Sequence, residues 1–451
     1  MSGRSWRGLA AAVAVLGMLI SGCSQVIDGR GQYESGLSTV ADAKVQISGT
    51  DNGDIDRIVG NAIADVQAFW TEQMPAAFGE PYKPVKGFFS VDPSGDKAAP
   101  CTNSPSDIRG NAFYCPNQDI VAWDRVGLFP DLKRKFGDFL IAMVIAHEWG
   151  HAIQHRTKLP GSKTIIVEAQ ADCYAGAWAQ AAHKAKAPHF EISREILDDA
   201  LAGYLLFRDP VGASADDRQA HGSGFDRIAA FQEGYEQGVQ HCKTFDQRRV
   251  FTEVPFLDED DQQRQGNLPY DDALQLGLKD LPDYWNQTFE KTFQRDFQPV
   301  AKVTGYQGDS ERPQCDGTPV NAVQYCAADD TIYFDQTDAV KKVYDGTGDF
   351  GAMSLLAVAF GQAMRKRLNQ TINGEEALDG SICLAGAYAG DVFNRRRSGA
   401  AQLSPGDLDE AIQALLNFAG KAGFFDVAGK TGFDRVSAFR KGFGDIRACG
   451  G

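Results

Sequence analysis

Apolar and polar positions change rhythm several times along the chain, and each change predicts an element. Residues 54–78 read as a helix whose Phe69, Trp70 and Phe78 supply large apolar contacts. Short β-rich pieces follow, "KGFFSV" (86–91), "NAFYC" (111–115) and "IVAWD" (120–124), bounded by Pro, Gly and Asn turn signals. After Pro130 the pattern turns helical over 132–156, 164–185 and 224–241, and the run "LIAMVIA" (140–146) makes the first of these largely buried. Strands followed by a block of helices predict an α+β domain with a small sheet. Two stretches break the pattern. Residues 24–50 read as a tether, and "LDEDDQQRQGNLPYDD" (257–272), acidic and interrupted by Gly266 and Pro269, reads as an exposed connection.

The same pattern occurs twice. "FWTEQMPAAFGEPYKPV" (69–85) aligns with "YWNQTFEKTFQRDFQPV" (284–300), and "NAFYCPNQDIVAWD" (111–124) with "NAVQYCAADDTIYFD" (321–335). "GDFLIAMVIAHEWGHAIQHR" (137–156) aligns with "GDFGAMSLLAVAFGQAMRKR" (348–367). "CYAGAWA" (173–179) and "GFDRIAAFQEG" (224–234) align with "CLAGAYA" (383–389) and "GFDRVSAFRKG" (432–442). Repeats of this size predict two homologous domains, 51–250 and 276–451, joined by an acidic linker over 251–275. If each domain closes its own bridges, the pairs are Cys101–Cys115, Cys173–Cys242, Cys315–Cys326 and Cys383–Cys449.

Composition narrows the setting. A length of 451 residues favours two domains, and a net charge of −15 argues against nucleic acid or an anionic membrane as electrostatic partner. Arg4 and Arg7 precede the apolar run 8–20, which is short for a membrane span and has the length of a signal-peptide core. It ends in "ISGC", which resembles the lipobox of bacterial lipoproteins. That resemblance implies a signal peptide over 1–22, lipid on Cys23, and a chain anchored to the outer face of the cell membrane. An ordinary secretory signal would export the chain without the anchor. Eight remaining cysteines suit an oxidising compartment.

Candidate chemistry sits in the first repeat. His147 and His151 are four residues apart on a predicted helix and project from one face, with Glu148 displaced beside them. The metzincin pattern fails, because positions 154 and 157 are Gln and Thr. Downstream, "VEAQADCYAG" supplies Glu168 as a third ligand and Asp172 as a carboxylate able to accept the free N–H of a ligating histidine. HExxH followed by ExxxD is the gluzincin arrangement.

"HEWGHAIQ", "EAQADCYAG" and "HGSGFDR" (221–227) resemble the successive motifs of the bacterial neutral zinc metallopeptidase family, over roughly residues 60–242. The resemblance implies a zincin-like fold, His147, His151 and Glu168 on Zn2+, Glu148 as the catalytic carboxylate, and a peptide or protein substrate. The stretch "LLFRDPVGASADDRQA" departs from the family pattern and leaves the substrate cleft undefined. His221 reads either as a donor to the developing oxyanion or as a turn histidine capping the helix near Gly224.

In the second repeat His147 maps to Val358, Glu148 to Ala359, His151 to Gln362, Glu168 to Leu378, Asp172 to Ile382 and His221 to Gly429. One Zn2+ per chain, in the first domain, is therefore expected. The second domain reads as a pseudo-peptidase that binds a protein partner, shapes the cleft or stabilises the first. Its basic islands "MRKRLN" (364–369) and "NRRR" (394–397) read as solvated surface. The competing function is a non-catalytic surface lipoprotein with a structural zinc.

Overall fold

The computed structural model describes residues 35–158, 163–217, 219–397, 399–417, 424 and 431–450. The signal peptide, the lipid site Cys23 and Gly429 lie outside the described residues. The chain is mixed α+β, with small sheets packed against helices.

In the first half, helix α1 (Asp54–Phe78) leads into strands β1 (Gly87–Val91), β2 (Ala112–Cys115) and β3 (Ile120–Asp124). Helices α2 (Leu128–Phe136), α3 (Asp138–Thr157), α4 (Thr164–His183), α5 (Arg194–Tyr204), α6 (Gly224–Gln237) and α7 (Val239–Cys242) follow. Next come α8 (Glu259–Gln263) and α9 (Tyr270–Phe293), then strands β4 (Lys302–Tyr306), β5 (Gln314–Cys315), β6 (Thr318–Pro319), β7 (Val323–Cys326) and β8 (Thr331–Asp335). The chain closes with α10 (Ala339–Thr347), α11 (Asp349–Arg367), α12 (Glu375–Phe393), α13 (Asp407–Asn417) and α14 (Gly432–Gly444). Among the described residues no helix is long and apolar enough to cross a membrane.

Two three-stranded sheets share one topology. Their orders are β1-β3-β2 and β4-β8-β7, the first pair parallel and the second antiparallel in each. β2 and β7 are therefore edge strands, each with one row of amides facing a helix. Among the described residues a short β5-β6 ribbon occurs in the second half alone. Disulfides join Cys101 to Cys115, Cys173 to Cys242, Cys315 to Cys326 and Cys383 to Cys449, the pairs expected within each repeat.

The helix expected over 132–156 is broken at Gly137, whose φ of 82° no β-branched or bulky residue would adopt cheaply. The break turns α3 so that its nearly all-apolar surface enters the core. Inside α3, Gly150 meets α4 so closely that an added Cβ would lie 2.7 Å from Ala171 Cα. Gly361 repeats the arrangement, with 2.4 Å to Ser381 O. These contacts bring the helix bearing His147 against the helix bearing Glu168.

One continuous apolar cluster runs through both halves. The halves also exchange helix caps. Asp409 on α13 accepts the Phe225 amide at the start of α6 (2.7 Å). Asp198 on α5 accepts the Gly432 amide, and the Phe433 amide at 2.7 Å, at the start of α14. A carboxylate at a helix N-terminus satisfies orphan amides and opposes the dipole.

Three expectations are corrected here. The 257–272 stretch is not simply exposed, since Asp261 is buried and takes hydrogen bonds from the Leu257 amide (2.8 Å) and Ser404 Oγ (2.9 Å). The basic islands are not simply solvated, because Arg365 and Arg397 are buried. Arg397 is there because Asp280, Asp283 and Asp391 surround its guanidinium at 2.6–3.1 Å. Between the helices expected over 164–185 and 224–241 the pattern predicts none, yet α5 forms there and ends at Tyr204, beside the site.

Candidate metal centre

Helix α3 presents His147 and His151 one turn apart, and α4 brings Glu168 to meet them. His147 Nε2 lies 3.1 Å from His151 Nε2 and 3.2 Å from Glu168 Oε2, and His151 Nε2 lies 3.5 Å from Glu168 Oε1. Ligand atoms from all three residues fall within 4.8 Å of one another.

The other ring nitrogens decide what those Nε2 atoms are. His147 Nδ1 is 2.7 Å from Asp172 Oδ1. An ionised carboxylate only accepts, so the proton belongs to Nδ1. His151 Nδ1 is 3.0 Å from Gln154 Oε1. The amide is oriented by its own donors, Gln154 Nε2 bonding Val167 O at 2.7 Å and Gln170 Oε1 at 3.1 Å. Gln170 in turn donates to Cys242 O at 3.0 Å. In the neutral rings these bonds leave both Nε2 atoms as lone pairs, aimed at each other and at a carboxylate. Two nitrogens ~2.0–2.1 Å from one tetrahedral zinc sit about 3.3 Å apart, close to the spacing here. The donor set fits zinc.

Two groups not singled out from the sequence complete the support. Arg227 on α6 binds Asp172 with both Nε and Nη2 at 2.9 Å, and Tyr204 at the end of α5 donates its hydroxyl to the same carboxylate. Arg227 lies inside the "HGSGFDR" motif, whereas Tyr204 ends α5, a helix with no periodic signal in the sequence. Burial would raise Asp172, but Arg227 and His147 win and hold it at about 2. Burial would lower His147, but Asp172 and Glu168 carry it up to about 10. The cluster favours positive charge, and a metal ion bound there would take the place of the proton.

The two remaining carboxyls diverge. Burial works against Glu168, yet the histidines hold it well below its ordinary value. Glu148 is raised, by burial above all. Its Oε2 accepts the Tyr114 amide of edge strand β2 at 2.7 Å. Their surroundings thus push the two carboxyls in opposite directions.

His221 is not brought into this cluster. Its ring is about half exposed and its Nδ1 lies 3.2 Å from Asp209 Oδ1, while the helix behind it is capped by Ser223, not by His221.

Among known proteins, a family model described as "Putative neutral zinc metallopeptidase" matches residues 2–245. An uncharacterized protein of Mycobacterium bovis is 31% identical over 179 residues, covering 34% of this chain and 60% of its own length. The same figures hold for an uncharacterized protein of Mycobacterium tuberculosis H37Rv. The uncharacterized protein YpfJ of Escherichia coli K12 is 29% identical over 157 residues, with 30% and 53% covered. The chain thus spans little more than half the length of the curated relatives it matches. No solved structure matches it.

Proposed function

The chain belongs to the neutral zinc metallopeptidase family, and from that premise we propose that it is an exported, lipid-anchored zinc peptidase with one working site, in its first half. The observation that carries the reading is the convergence of two histidine Nε2 atoms and the Glu168 carboxylate at 3.1–3.5 Å. Zinc held there supplies Lewis-acid polarisation of a carbonyl and makes water acidic near neutrality.

The chain's own residues do the rest. Glu148, buried beside the ligands and raised in pKa, takes the proton from the attacking water and returns it to the leaving amine. The Tyr114 amide fixes that carboxylate against the edge strand. Asp172 keeps His147 in the tautomer that binds metal, and Arg227 and Tyr204 keep Asp172 ionised and oriented. The substrate is a peptide or protein.

In this reading the two halves are homologous domains, and the second is a pseudo-peptidase without zinc. Cys23 carries the lipid and fixes the chain outside the cell, and no nucleic acid is involved. Metal analysis of the purified protein, followed by casein cleavage with and without chelator, tests the proposal. One zinc per chain and chelator-sensitive cleavage are expected. Undiminished cleavage by Glu148→Gln would overturn it.

A further inference from the structure

A second convergence of ligand-type side chains lies in the other half, and its chemistry is different. Asp349 opens α11, and Asp407 and Glu410 stand on the first turn of α13; their carboxylate oxygens come within 4.8 Å of one another. All three residues are more than nine-tenths buried. One oxygen of each is used by a backbone amide, from Leu268 (2.8 Å), Ser404 (2.8 Å) and Phe350 (3.0 Å) respectively. Asp349 Oδ1 and Asp407 Oδ1 are buried with no hydrogen-bond donor among the described residues. Asp261 adds a further negative charge nearby, and Arg208, a cation that acts on Glu410, is already 2.7 Å from Asp409. Buried anions that repel one another, two of them with an oxygen that takes no donor, are costly unless something positive lies between them.

The first half shows what that something is. Asp138 occupies the position of Asp349, and there Lys133 Nζ lies 2.7 Å from its Oδ1. The residue in register with Lys133 is Tyr344, whose hydroxyl donates instead to Leu268 O at 2.7 Å. The built-in ammonium is gone and carboxylates have gathered in its place. The backbone accommodates them, since Gly348 (φ 127°) leaves room where an added Cβ would lie 2.1 Å from Glu410 Cδ.

We propose that Asp349, Asp407 and Glu410 form a binding site for a hard divalent cation, calcium by its ligand chemistry, which joins the start of α11 to the start of α13. An all-carboxylate set selects an oxygen-seeking ion over zinc, and oxygens 2.3–2.6 Å from one calcium lie no more than about 5 Å apart, as these do. Burial and mutual repulsion also hold the carboxyls of Asp407 and Glu410 well above their ordinary range, and Asp349 above its own. The cation would be structural, and the site is independent of the peptidase reading.

The test uses the full chain loaded with zinc and freed of calcium. Titration with calcium chloride should show one further ion per chain by calorimetry, and ~1–10 mM calcium should raise the melting temperature by several degrees. Asp407→Asn and Glu410→Gln keep an acceptor for their backbone amides, and each should weaken calcium at least about tenfold. Without calcium both should melt at or above the wild type, because a repulsion has been removed. Tyr344→Lys restores the first-half arrangement and should abolish calcium binding while stabilising the calcium-free chain. A wild type indifferent to calcium would mean that the carboxyls share protons instead, and the proposal fails. Calcium binding unaltered in all three variants would place the ion elsewhere and overturn it equally.

Discussion

The two halves differ most where they are most alike. Each clasps its β-hairpin to its main helix in the same way: Arg156 reaches Tyr114 Oη and Asp119, and Arg367 reaches Tyr325 Oη and Asp330. The edge-strand amide of Tyr114 goes to Glu148, but that of Tyr325 goes to Gln362 at 3.0 Å, the residue standing where His151 stands. Gln154 and Gln170, which orient His151, have become Arg365 and Gly380, and the arginine occupies the space over the glycine, bonding Thr371 O at 2.9 Å. Val358, Ala359 and Ile382 fill the rest and are fully buried. At these positions the second half is closely packed, with apolar side chains and an arginine where the first half has the ligands and their supports. Scaffold and chemistry are therefore carried by separable residues.

The sharpest way to break that comparison is to remove the chemistry from the first half alone. Glu148→Gln keeps an acceptor for the Tyr114 amide, so zinc content and melting temperature should hold. Peptide hydrolysis should fall by at least ~10²–10⁴-fold, the range for losing a general base. His147→Ala should instead lose the metal, since one Nε2 lone pair and the bond to Asp172 vanish together. Equal zinc loss in both variants would mean that Glu148 is a ligand and not a proton carrier.

Next in size are the bridges that the halves share. Replacing Cys383 and Cys449 by Ser should cost about 2–5 kcal/mol of stability and leave zinc affinity unchanged. Replacing Cys173 and Cys242 should cost about as much and weaken zinc as well. Cys242 O is the acceptor that ends the Gln154–Gln170 chain behind His151, and Cys173 follows Asp172 directly. Chemical denaturation beside chelator competition separates the two outcomes.

Much of this was legible beforehand, and the reason is periodicity. HExxH and ExxxD are helix-period patterns, so the sequence alone puts each set on one face, and the internal repeat restricts the cysteine pairing. What stayed hidden depends on contacts between distant elements. Tyr204 supports the site from a helix with no strong sequence signal, and Arg227 does so by reaching Asp172 across 55 residues. The acidic connection and the basic islands were misjudged from charge. Asp261 and Arg397 are buried against partners, Ser404 and Asp280, that lie more than a hundred residues away, so the local charge pattern cannot show it. His221 carried a motif's promise, but the fold keeps it on Asp209.

A smaller effect follows at Asp172, where the second half has Ile382. Asp172→Asn should weaken zinc by ~10–100-fold, because the His147 tautomer is no longer enforced and Arg227 faces an amide. Competition with a calibrated chelator measures it, and an unchanged affinity would show that the metal does not depend on this carboxylate.

The smallest effect tests whether the second half supports the first across their shared core. Asp409 and Asp198 are reciprocal caps, so substituting either by Asn should cost about 1 kcal/mol through weaker capping. Their consequences should not be reciprocal. Asp409 holds the start of α6, three residues from which Arg227 grips Asp172 and, through it, His147. Asp198 holds α14, where the corresponding Arg435 donates to Leu415 O at 2.8 Å and no zinc ligand stands beyond it. Zinc affinity should therefore fall about two- to fivefold in Asp409→Asn, a coupling below about 1 kcal/mol. It should stay constant in Asp198→Asn at matched melting temperature. Equal losses would mean that zinc reports general stability, and that the asymmetry between the halves ends at the site itself.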